Sequence, residues 1–339
     1  MKVVTFGEVM IRLQPYDNLR FVQVDSLEYT YGGGEANVAV SLANFGADVA
    51  FVTKLPKHAI GQAAVNSLRR YGVDTSKITR GGDRVGIYFN EKGASQRGSV
   101  CIYDRKYSAM QQSTVEDFDW DKIFEGVEWF HFTGITPALG QNLVEICKEA
   151  CKAAKAKGVK ISCDLNYRGK LWIRDQARAA MTELCQYVDV CISNEEDAKD
   201  VFGIEAENTD IYGGKLNKDG YRSVARQLKD KFGFEKVAIT LRTSISANDN
   251  DWAGMLYDGE NCYFSKEYHL HIVDRVGGGD SFGGGLIYAL TNGKDCQSAI
   301  EFAVAASALK HSVEGDFNRV TVSEVEKLAG GDGSGRVQR

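Results

Sequence analysis

Two patterns of hydrophobic and polar positions alternate along the chain. Short apolar runs, of the kind a strand covered on both faces needs, stand at Lys2–Val9, Asp48–Lys54, Glu128–Thr133, Lys160–Asp164, Val188–Ser193 and Lys236–Leu241. Between and after them, apolar residues recur at helical spacing in Ala36–Phe45, Ile60–Tyr71, Leu139–Lys157, Asp175–Gln186, Ser281–Thr291 and Gln297–Lys310. This rhythm predicts a three-layer α/β fold, a mostly parallel central sheet flanked by helices. Two stretches break it. Met10–Tyr31 alternates and carries aromatics without a helical period, and Val85–Asn90 with Ser99–Tyr103 reads as a hairpin around Glu91-Lys92-Gly93. They predict a small β-sheet outside the main core, built from about 10–33 and 84–108. Two late strands are expected near Trp252–Tyr257 and Asn261–Phe264.

With 339 residues, 43% of them hydrophobic, the chain can bury one large core. The expected division is a main domain over 1–320 and a C-terminal helix and tail over 321–339, its glycine-rich end disordered. A net charge of −5 gives no reason to expect nucleic acid or an anionic membrane as partner. No apolar run approaches the roughly 18 residues that a spanning helix needs, so a soluble cytoplasmic protein without a signal peptide is expected. The eight cysteines are scattered and read as reduced thiols. Cys147 and Cys151 would share a helix face, but no CxxC or nearby histidine completes a zinc site.

The chemistry concentrates in Val273–Gly285, VDRVGGGDSFGGG. Gly277, Gly278 and Gly279 can turn tightly and aim backbone N–H groups at an anion where a helix begins. Asp280 in the same cradle can accept a proton from an attacking hydroxyl. From these letters alone, a turn followed by a capping aspartate is equally supported. Neither GxxxxGK[ST] nor GxGxxG is present here. Gly32-Gly33-Gly34-Glu35-Ala36-Asn37 also opens a helix, where Gly33 and Gly34 permit close approach and the Asn37 amide suits hydroxyls, or simply caps a turn.

Read together, Tyr31–Gly46 (YGGGEANVAVSLANFG) and VDRVGGGDSF resemble the two signature regions of ribokinase-like sugar kinases of the phosphofructokinase B type. Within that family, DRVGGGD and ALKHSVEGD resemble 2-keto-3-deoxygluconate kinases. The resemblance implies ATP- and Mg²⁺-dependent phosphorylation of a sugar-acid hydroxyl, with Asp280 as base and the Gly277–Gly279 amides stabilising the transferred phosphoryl group. It makes the small sheet a lid over the sugar and a surface for homo-oligomer formation. Gly33, Gly34, Asn37, Tyr88, Tyr103 and Arg105 become substrate contacts, Arg105 as a fork for a carboxylate. In Asp164-Leu165-Asn166-Tyr167-Arg168, a D-x-N-x-R pattern at a strand's carboxyl end, Arg168 is a second anion partner and Asn166 orients phosphates or metal-bound water. An arginine after a strand is also an ordinary surface ion pair.

The family's N-x-x-E becomes Asn194-Glu195-Glu196-Asp197 here, so either Glu196 or Asp197 is expected to act on Mg²⁺ through water. Thr240 and Arg242 match the nucleotide segment, Arg242 replacing the usual glycine. Ala303, Ala306 and Ser312 fall at adenine positions, and Asp274 corresponds to an aspartate associated with K⁺. His311 reads as structural, because it carries no partner signal. The rival readings are a kinase for a neutral sugar and a non-catalytic sugar-binding protein on the same fold.

Overall fold

Each of the six apolar runs forms a strand in the computed structural model, which describes residues 2–206 and 218–335. In chain order, β1 (Lys2–Phe6) is followed by β2 (Met10–Gln14), β3 (Glu28–Gly32), helix α1 (Gly34–Asn44) and β4 (Asp48–Val52). Next come β5 (Lys54–Leu55), α2 (Ala59–Arg69), β6 (Thr79–Arg80), β7 (Ile87–Glu91) and β8 (Val100–Asp104). The middle of the chain supplies α3 (Trp120–Ile123), β9 (Trp129–Thr133), α4 (Gln141–Ala156), β10 (Lys160–Asp164), α5 (Arg174–Leu184), β11 (Val190–Ser193) and α6 (Glu195–Phe202). The last part holds α7 (Lys218–Phe232), β12 (Lys236–Ser244), β13 (Asp249–Tyr257), β14 (Cys262–Phe264), β15 (Tyr268–His271), α8 (Gly278–Thr291), α9 (Cys296–Lys310) and α10 (Val322–Ala329). Residues 336–339, within the tail end expected to be disordered, lie outside the described residues.

The large sheet runs β14-β13-β12-β11-β10-β9-β1-β4, with β15 also pairing β13. From β4 to β12 all neighbours are parallel, and β13 to β15 add an antiparallel edge. This is the expected α/β fold. Alternate strand residues feed two cores, one on each face: Phe130, Phe132, Ile161 and Cys163 pack with α4 and α5, while Val3, Phe51, Ile192 and Ala238 pack with α1, α8 and α9.

The second sheet, β3-β2-β7-β8, is the expected small one. Its register places Arg12, Tyr88 and Tyr103 in one row and Tyr29, Leu13, Phe89 and Ile102 in the alternate row. The first row faces the central sheet; in the second, Ile102 is 52% exposed.

Several elements depart from expectation, among them helices α6 and α7, which were not expected. The polar stretch after Leu241 continues as a ladder to Ser244 paired with Asn250, because cross-strand hydrogen bonds sustain a hairpin that hydrophobicity does not announce. The strand β15 is too short to stand out. Helix α8 begins at Gly278 rather than Ser281, so two of the three glycines form its first turn.

Candidate active site

Gly277 caps α8 with φ of 83°, and a Cβ there would lie 2.1 Å from the Asp316 carbonyl oxygen, so glycine is required twice over. The turn delivers Asp280 to the floor of a cavity of about 650 Å³ between the strand carboxyl ends and the small sheet. Asn37 Nδ2, from α1, donates to Asp280 Oδ2 at 2.7 Å. Burial raises the Asp280 carboxyl to about 7, with the Asn37 hydrogen bond opposing and the Asp316 charge assisting the rise. Such a carboxylate changes protonation state where a general base is useful.

The sugar end assembles around it. A Cβ on Gly34 would sit 3.5 Å from Asp280 Oδ1, so glycine leaves that space beside the carboxylate open. At Gly33 a Cβ would meet the Glu8 carbonyl oxygen at 2.0 Å. Tyr88 and Tyr103 line the cavity with ring centroids 6.1 Å apart, and the Arg105 guanidinium stands 5.5 Å from the Tyr103 ring. Arg105 is not the open fork that was expected. Its Nε and Nη2 both donate to Glu8 Oε2, at 2.8 and 2.5 Å, which leaves Nη1 for a ligand. Asn166 has φ of 39°, a left-handed turn that asparagine tolerates, and it swings Arg168 into the cavity lining. Lys170 of the same loop donates to the Cys101 carbonyl of β8 at 2.9 Å.

Beyond the carboxylate, Asn194 and Asp197 also line the cavity. Asn194 caps α6, its Oδ1 accepting from the Asp197 N–H at 2.7 Å, and Asp197 Oδ1 accepts from the Tyr167 N–H at 3.0 Å. Burial raises Asp197 to about 6 and lifts Asp164 well above the carboxylate range, Asp197 adding to the latter shift. Among the described residues no group of three or more His, Cys, Asp or Glu side chains is arranged to hold a metal ion by itself. Carboxylate oxygens of Asp164, Glu196 and Asp197 on one wall nevertheless suit Mg²⁺ that keeps its waters and shares phosphate oxygens.

At the far end, Thr240 and Arg242 of β12 line the cavity with Asn250 and Trp252 of β13, Val276 and Gly279. Other expected residues lie elsewhere. Gly278 is buried behind the cradle, where a Cβ would strike the His311 ring at 2.4 Å. Ala306 is fully buried, packed against Gly285 of α8, and Ser312 bonds the Leu309 carbonyl instead of lining the cavity. Asp274, expected near a monovalent ion, has both carboxylate oxygens engaged: Oδ2 by Arg12 Nη2 at 2.6 Å and by the Gly315 N–H, Oδ1 by the Val276 N–H. His311 is held neutral by burial, which lowers it to about 4, and its Nδ1 bonds the Ser307 carbonyl.

Arg12 is absent from the sequence reading and central to the structure. Fully buried, it pairs with Asp274 and with Asp316 at 2.6 Å each, and Asp316 also accepts from Tyr88 Oη at 2.6 Å. Glu8 and Arg275 were likewise given no site role, although Glu8 stands where the first strand ends and Arg275 stands inside the glycine motif.

Comparison with known proteins agrees with this geometry. Residues 1–322 match the model of the pfkB family carbohydrate kinases, and the chain belongs to that family, whose sugar kinases use ATP. It is 33% identical over 332 residues to a 2-dehydro-3-deoxygalactonokinase of Haloferax volcanii, covering 98% of each chain. A crystal structure of a 2-dehydro-3-deoxygluconokinase from Thermotoga maritima is 52% identical, superimposes with a TM-score of 0.94 and also covers 98% of each chain. A PfkB family carbohydrate kinase from Listeria grayi is 35% identical with a TM-score of 0.90, covering 97% of this chain and 100% of that one.

Proposed function

We propose that this chain transfers the γ-phosphoryl group of ATP to a hydroxyl of 2-keto-3-deoxygluconate (2-dehydro-3-deoxygluconate), giving 2-keto-3-deoxy-6-phosphogluconate. The observation that carries the reading is Asp280, a carboxylate poised near neutral pH at the start of a glycine-capped helix and within one cavity of Arg105 and Arg168. Asp280 takes the hydroxyl proton while the N-terminal amides of α8 hold the charge of the transferring group. Arg105 Nη1 and Arg168 hold the substrate carboxylate. Asp197 and Glu196 hold Mg²⁺ through water, and the ion neutralises phosphate charge when bound. Asp274 is not assigned a potassium ion, because Arg12 and backbone amides already satisfy its carboxylate.

Similarity to kinases named for both the gluconate and the galactonate form supports a 2-keto-3-deoxy sugar acid and leaves both epimers as substrates to assay. The exposed apolar row of the small sheet, with Tyr29, Val100 and Ile102, supports pairing of two copies through the lid. The deciding experiment measures ADP release with 2-keto-3-deoxygluconate, its galactonate epimer, fructose and ribose, each beside the Asp280→Asn protein. Selective turnover of the keto-deoxy acids, abolished in the variant, is expected; turnover of fructose or ribose alone would discard the carboxylate role of the two arginines.

A further inference from the structure

The tip of the lid hairpin reaches the nucleotide end of the molecule. Between β7 and β8, the Ser95 carbonyl accepts from the Ala247 N–H at 2.8 Å, and the Ser95 N–H donates to Asn248 Oδ1 at 2.7 Å. Ala247 and Asn248 form the turn of the β12–β13 hairpin. Arg275 meets the same turn from the body of the protein, its Nη2 donating to the Ala247 carbonyl at 2.9 Å. One residue thus holds the lid through its N–H and Arg275 through its C=O.

Arg275 also lines the main cavity, two positions ahead of the Gly277 cap, and Arg242 lines the same wall. Among the described residues neither guanidinium has a carboxylate partner. Burial and the nearby Arg242 charge both pull Arg275 below its ordinary pKa, with the Asp274 charge opposing them. Beside the two arginines, the buried Trp252 lines the cavity with its Nε1 donor lacking any hydrogen-bond partner. A polyanion is the ligand chemistry that this wall fits.

We propose that Arg275 binds the phosphate chain of the donor nucleotide and, through Ala247, couples nucleotide binding to the seating of the lid over the sugar. The proposal rests on the kinase reading above. A phosphate oxygen on the cavity side fixes the guanidinium whose other edge orders the turn that receives Ser95. By thermodynamic reciprocity, a sugar that seats the lid tightens the nucleotide by the same factor.

The test is calorimetry on the full chain with three probes: β,γ-methylene-ATP with Mg²⁺, AMP, and 2-keto-3-deoxygluconate. Arg275→Ala is expected to weaken the methylene analogue about tenfold or more while AMP stays within about twofold. The wild-type protein is expected to bind the sugar acid at least about fivefold tighter with the analogue present, a factor that falls toward one in Arg275→Ala. Asn248→Ala, which cuts only a lid-side bond, should keep the analogue's affinity and reduce the coupling. Equal losses for AMP and analogue, or coupling unchanged in both variants, would overturn the proposal alone. A wild-type protein that bound neither nucleotide would overturn the kinase reading and the proposal with it.

Discussion

Glu8 grips Arg105 through two nitrogens of its guanidinium, Nε at 2.8 Å and Nη2 at 2.5 Å from one carboxylate oxygen, while Ser108 Oγ donates to the other oxygen. The pair joins the loop after β1 to the residue that follows β8, so the exit of a central-sheet strand sets the aim of a side chain at the end of the small sheet. Both side chains are buried, and the ion pair holds one guanidinium orientation by engaging two of its five N–H donors. On the proposed function, a sugar acid meets Arg105 Nη1 together with Arg168.

Substituting Glu8 by Gln removes the charge that orients Arg105. KM for the sugar acid should rise about tenfold with kcat within about threefold, since the lost interaction serves binding in ground and transition states alike. Steady-state kinetics check this; a fall in kcat at unchanged KM would place Glu8 in the chemical step instead.

Asp280 must be ionised to act as base, and burial sets its pKa near 7. Activity should therefore climb as pH rises through about 7 and fall away below it. The Asn37 hydrogen bond stabilises the ionised form, so Asn37→Ala should move the acid limb of kcat/KM to higher pH. Asp280→Asn should lower kcat by about 10²–10⁴-fold. An acid limb that stayed in place in the Asn37 variant would separate that limb from Asp280.

Arg12→Met leaves Asp274 and Asp316 buried without their shared countercharge. Breaking a buried pair in this way costs about 3–5 kcal/mol, to be read from chemical denaturation. Added K⁺ that restored the loss would show that a monovalent ion can replace the guanidinium.

Gly278→Ala drives a methyl group into the His311 ring, which its bond to Ser307 and its packing 5.3 Å from Trp252 hold in place. The single variant should lose about 1–3 kcal/mol. The double variant Gly278→Ala, His311→Ala should recover part of that loss relative to His311→Ala alone, a non-additivity that a double-mutant cycle measures.

Much of this was legible in the chain. Lys160–Asp164 reads as a short strand, and it forms one over those same residues. Asp280 could be singled out because three glycines precede it at a helix start, and the family resemblance tipped that stretch away from a plain capping turn. Partners were harder. Arg12 lies on a strand whose alternation marks it as solvent-facing, since sequence does not reveal that the second face of that strand is covered by the body of the protein. Glu8 and Arg105 stand 97 positions apart and meet only because two separate sheets converge. Ala306 was misplaced for the opposite reason: family position suggested a ligand contact, but close α8–α9 packing claims its methyl group.

The Arg12–Asp316 bond spans 304 positions, almost from one end of the chain to the other. During synthesis the lid strands and their arginine therefore leave the ribosome long before the carboxylates that neutralise it. Until residues 274 and 316 arrive, the growing chain carries a cation destined for burial without the two carboxylates that neutralise it. Completion of the site is thus tied to completion of the polypeptide, and a chain stopped short of Asp316 has the glycine cradle and the base but only one of the two carboxylates that hold Arg12.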